Sequence, residues 1–150
     1  MIRHDLSHWP LVISVASGPS TLEELDAFTE EWGRWLARGE RFATLRVFAD
    51  TESLVHPEGS AQSAKKWLKE QGEAIRRQVS GMANVVPASE YERMRKMNVE
   101  KLFGVPAGTF PDVPSALAWL AERVFATQGL AFDKAAIAGA VAAALDRPAQ

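Results

Sequence analysis

The chain has no cysteine, which excludes disulfide staples and thiolate metal sites and is compatible with a reducing compartment. It carries little net charge, −2 at pH 7 with a pI near 5.9. Nucleic-acid binding, which rests on phosphate neutralisation by clustered Lys and Arg, is therefore not expected. The sequence also lacks a long hydrophobic run. Its longest uncharged apolar stretch, residues 135–145, is mostly alanine and too short to span a bilayer, so no membrane insertion is expected. Met1-Ile2-Arg3-His4-Asp5 is followed by no apolar h-region, so no secretory signal and a cytoplasmic location are the expectation. There is no Gly-x-Gly-x-x-Gly, no Walker loop and no Gly-x-Ser-x-Gly elbow. Ser63-Ala64-Lys65-Lys66 has the Ser-x-x-Lys spacing of penicillin-binding enzymes, but the companion Ser-Asp-Asn and Lys-Thr-Gly elements are missing and the match is chance. No cofactor and no catalytic residue are expected.

What is present is the composition of an ordinary globular domain, 47% hydrophobic and 24% charged over 150 residues. A chain of this length buries roughly two-thirds of its unfolded surface in one domain. Apolar Leu11–Ala16, rich in β-branched residues and bounded by Pro10 and Ser17-Gly18-Pro19, reads as a buried strand. Ser20 with Glu23, or Thr21 with Glu24, forms a capping box for a helix whose stripe is Leu22, Leu25, Phe28, Trp32 and Trp35/Leu36. That helix ends at Arg38-Gly39. Residues 42–49 alternate as a second strand, with Arg46 the odd residue in its middle, expected to pair with an acid on a covering helix or to face solvent. A long helix follows over 60–79, then a third strand over 82–86. A helix capped by Ser89 carries Tyr91, Met94, Met97 and Leu102 and stops at Gly104, and a short strand covers 108–110. Val113, Leu117, Leu120 and Val124 mark the next helix, in which Trp119 falls off the inward stripe as a candidate surface contact. Strands alternating with helices predict an α/β fold with a four- to five-stranded, mainly parallel sheet flanked by helices.

Metal and acid–base chemistry find no support. His4 and His8 lie four apart, but an extended segment before Pro10 would hold the rings too far apart to chelate, and His56 stands alone in a loop. Glu23/Glu24 and Glu30/Glu31 are adjacent in sequence and point apart on a helix.

Three segments resemble a known family when taken together. They are Asp5-Leu6-Ser7-His8-Trp9-Pro10-Leu11-Val12, Met82-Ala83-Asn84-Val85-Val86-Pro87, and Phe110-Pro111-Asp112-Val113-Pro114-Ser115-Ala116-Leu117-Ala118-Trp119-Leu120. This combination resembles small bacterial proteins of the SpoIIAA-like, or STAS-type, superfamily, over residues 5 to 125. The resemblance implies a sheet flanked by helices and a role in partner binding or regulation, with a hydrophobic ligand as a second option. In anti-sigma-factor antagonists of that superfamily the switch is an Asp-Ser-Ser-Gly motif. Here the matching stretch reads His56-Pro57-Glu58-Gly59-Ser60, which lacks the acid–serine pair. Ser60 is a weak phosphosite candidate and is expected to act as the N-cap of its helix.

The domain expected from these readings is a STAS-like unit over 1–126, followed by an appended alanine-rich helix within 130–147. Asp133 caps that helix, and Ile137, Val141 and Leu145 make a narrow apolar stripe beside Gly139. The helix is expected to dock on its own domain or, preferred slightly, on a second copy as a homodimer. Charge is unevenly spread: net −5 over 1–60, +4 over 65–101 and −1 over 102–150. If the positive stretch is functional, Lys65, Lys69, Arg76, Arg77, Arg93, Arg95 and Lys96 should converge on an acidic protein partner. The expected function is a non-catalytic regulatory or scaffolding module that binds another protein. The alternative is a carrier of a small hydrophobic ligand or lipid, in a pocket between the sheet and the helix of Met94 and Met97. An enzyme of unrecognised class is the third option.

Overall fold

The computed structural model describes residues 1–146. Its strands are β1 (Ile2–Asp5), β2 (Leu11–Ala16), β3 (Phe42–Phe48), β4 (Val79–Val85) and β5 (Ala107–Phe110), side by side in that order. The helices are α1 (Leu22–Ala37), α2 (Ser60–Gln78), α3 (Tyr91–Met94), α4 (Val99–Phe103), α5 (Val113–Leu120) and α6 (Lys134–Leu145). The α/β class and the flanking helices are as expected. The sheet, however, is mixed, which corrects the mainly parallel expectation. β2/β3, β3/β4 and β4/β5 run parallel, but the segment before Leu11 returns as β1, antiparallel to β2. Ile2-Arg3-His4-Asp5 was not anticipated as a strand because an edge of mixed polarity lacks the apolar run that marks β2.

Each sheet face has its own core. Leu11, Ile13, Val15, Leu45, Val47 and Val85 point to the side covered by α5 and α6, where they meet Leu117, Leu120, Val124, Ile137 and Val141. Val12 and Met82 point to the other side and pack with Phe28, Trp32 and Trp35 of α1 and Ile75 of α2. The division follows the pleat, since successive strand residues alternate between faces. The sequential order of the parallel strands, with crossovers of one hand, places α1 and α2 on the same face; α5, which follows the last strand, packs on the other. Gly81 fits this second packing closely. A Cβ there would lie 2.5 Å from Cγ2 of buried Val124, so the side chain is excluded by the segment that continues α5.

Local signals account for several ends. Thr21 and Glu24 form the reciprocal capping box of α1, and Asp133 Oδ1 accepts the Ala136 N–H at the start of α6, 3.0 Å away. Two expectations are corrected. The helix expected from Ser89 to Gly104 is two short helices broken over residues 95–98, because the Asn98 side chain caps α4 by accepting the Lys101 N–H. As a result Met97 and Leu102 lie 55% and 58% exposed rather than inward. Trp119 is half-buried and packs on Phe110, its ring centroid 5.7 Å away, so it belongs to the fold rather than to a free surface.

Candidate functional site

The strand register brings one polar residue from each strand into a single line. His4 on β1 lies opposite Ser14 on β2, Ser14 beside Arg46 on β3, Arg46 beside Asn84 on β4, and Asn84 beside Thr109 on β5. Lateral partners share a face, and this is the face of Val12 and Met82, covered by α1 and α2. The row lies one pleat further along the parallel strands than Val12 and Met82.

His4 Nδ1 and Ser14 Oγ are 2.8 Å apart and share a hydrogen bond. The imidazole is flanked by Phe28 and Trp35, with ring centroids at 5.0 and 5.1 Å. Burial lowers its pKa below the ordinary 6.5, opposed by the Glu31 carboxylate and reinforced by the Arg46 cation. Arg46 has no acidic partner among the described residues, which corrects the expected ion pair with a covering helix. Its guanidinium lies instead over the rings of Phe28 and Phe48, 4.7 and 4.6 Å from their centroids. Its Nε is sealed from solvent without a hydrogen bond. Burial pushes its pKa down to about 10. The register that assembles this row is not visible locally, and Arg46 was the one member that sequence reasoning marked for its place in the middle of a strand. Ser14, Asn84 and Thr109 were missed.

The residues singled out by sequence fall into separate places. Lys65, Lys69 and Arg76 share one exposed stripe of α2, and the Arg76 stem lies against Gly104 after α4. Arg77 pairs with Glu73 on its own helix, Arg93 with Glu90, and Arg95 with Glu92. Arg95 and Lys96 meet at a half-open groove of about 300 Å³, lined also by Met97, Asn98, Val99, Glu100 and Ala107–Thr109 of β5. The stretch thus divides between the α2 stripe and this groove.

No family model, curated protein or solved structure matches the chain.

Ser60 is 8% exposed and is the first residue of α2, not its N-cap. Gly59 occupies the cap with a left-handed backbone at φ 86°, which corrects the expected capping role and leaves the Ser60 hydroxyl poorly placed for modification. Ile137 and Val141 are buried against the chain's own sheet, so they do not form the dimer surface expected of α6. Gly139 faces open space, and Leu145 is 41% exposed. Among the described residues no cluster of His, Asp and Glu is placed to hold a metal, and no helix is long and apolar enough to cross a membrane.

Proposed function

We propose that the protein is a non-catalytic module that binds an extended segment of another protein along the free edge of β5. One observation carries this reading: the backbone of an unpaired edge strand forms one side of the groove. Met82 N–H donates to Pro106 C=O and Val86 N–H to Phe110 C=O. In a parallel ladder this alternation turns the backbone groups of Ala107 and Thr109 away from β4, toward the groove. Edges of this kind accept an added strand, with main-chain bonds giving affinity and flanking side chains giving selectivity. Arg95 and Lys96 on the opposite wall favour an acidic segment, and exposed Met97 offers an adaptable apolar contact. The resemblance to SpoIIAA-like regulators supports the same class of function. The alternative of a hydrophobic carrier is less well supported, because the groove is open and most of its side chains are polar.

Selection of peptides from a random-sequence display library, followed by amide chemical-shift mapping, tests the proposal. Selected peptides should be rich in Asp and Glu and should perturb residues 95–100 and 107–110. Thr109→Pro removes an edge N–H without removing a ladder bond to β4, and should abolish binding. Peptides that map elsewhere, or that bind the Thr109→Pro protein equally, refute it.

A further inference from the structure

Arg46 is a half-buried cation on the central strand, its Nε sealed from solvent, and no described residue supplies it with an acid. An unpaired charge in such a place is unfavourable unless something meets it. The fold surrounds the guanidinium with uncharged groups suited to an anion. Ser14 and Asn84 flank Arg46 in register on β2 and β4, each about 5 Å away along the hydrogen-bonding direction of the sheet. No described residue accepts a hydrogen bond from the guanidinium, and the half-buried Asn84 side-chain amide likewise makes none with a described residue. Phe28 and Phe48 hold the guanidinium plane by contact with their rings, which limits its freedom before any ligand arrives. The His4–Ser14 bond fixes the next position of the row. Of the three guanidinium nitrogens only Nε is both sealed and unpartnered, so the terminal nitrogens are the ones left to meet a ligand.

We infer that Arg46, with Asn84 and Ser14, forms a receptor for the oxyanion of a small molecule, a carboxylate or a phosphate group. A planar guanidinium donates two parallel hydrogen bonds to either group. The Asn84 amide can donate a third. Neither Arg46 nor Asn84 lines the β5 groove, so this receptor stands or falls independently of the edge-strand reading.

The test uses the whole chain in chloride buffer, titrated at constant ionic strength with sodium phosphate, sodium acetate and sodium benzoate. The readouts are the thermal midpoint and the ¹H–¹⁵N signal of the Arg46 Nε–H group. At least one oxyanion should raise the midpoint and move the Nε–H signal saturably. Phosphate acting alone identifies a phosphate ligand, and acetate or benzoate acting alone a carboxylate. Arg46→Met should abolish the thermal response, and Asn84→Ala should weaken the apparent affinity at least threefold. Failure of every oxyanion to move the wild-type Nε–H signal overturns the inference, as does an equal thermal response in Arg46→Met. The wild-type signal decides the matter even if a variant does not fold.

Discussion

Replacing Arg46 with methionine should stabilise the anion-free protein, an unusual outcome for a change in the middle of a sheet. The lowering of the Arg46 pKa to about 10 corresponds to a penalty of about 3 kcal/mol for the cation at neutral pH, at ~1.4 kcal/mol for each tenfold change. Contact with the Phe28 and Phe48 rings returns about 1–2 kcal/mol of that. Methionine removes the charge, and its thioether packs well against the same two rings. The net gain is about 1–2 kcal/mol, or an increase of about 2–8 °C in Tm for a domain of this size. Scanning calorimetry at pH 7, in chloride buffer without phosphate or carboxylate, measures it. The pH dependence gives an independent check. Above pH 10 the unfolded chain holds the Arg46 proton more tightly than the folded one, so the wild-type penalty is constant below pH 10 and is relieved as pH rises beyond it. Arg46→Met should lack that relief, and its advantage should narrow as pH rises above 10. A Tm equal to or below that of the wild type at pH 7 would refute the reasoning, because it would mean that the guanidinium is compensated within the chain.

Two further outcomes follow from the same structure. His4 has a folded pKa below 6.5, so the stability of its neutral form is fully present above pH 6.5 and is lost as pH falls through the folded value. His4→Asn should reduce this acid sensitivity, and identical pH–stability slopes in the two proteins would count against a buried neutral imidazole. Ile137→Ala should cost about 2–4 kcal/mol in urea unfolding, because Ile137 packs in the sheet core. Gly139→Ala, at a position facing open space, should instead gain about 0.5–1 kcal/mol from helix propensity. If Gly139→Ala weakened a dimer in sedimentation, α6 would be an interface after all.

The parts of this fold that were legible in sequence are those written in short-range patterns. Leu11–Ala16 reads as a strand because five apolar residues, three of them β-branched, lie with Ser14 between turn signals, and it is buried at every position. Thr21 with Glu24 and Asp133 mark helix starts because each cap satisfies a backbone N–H within the same turn. The inward stripe of Phe28, Trp32, Trp35 and Leu36 follows from helical periodicity alone. Other features are set by contacts distant in sequence. Polar β1 becomes a strand only because β2 offers it an edge. Ile137 and Val141 face their own sheet rather than a second chain because the α5 side of that sheet has apolar surface for them to cover. The candidate site depends most on tertiary structure. His4, Ser14, Arg46, Asn84 and Thr109 span more than a hundred positions of sequence and carry no shared motif; only Arg46, in the middle of a strand, stands out in its own segment. Strand register aligns them, and register is fixed by how whole strands pair and bury their faces, so the line of polar groups around an unpaired arginine exists only once the sheet is assembled.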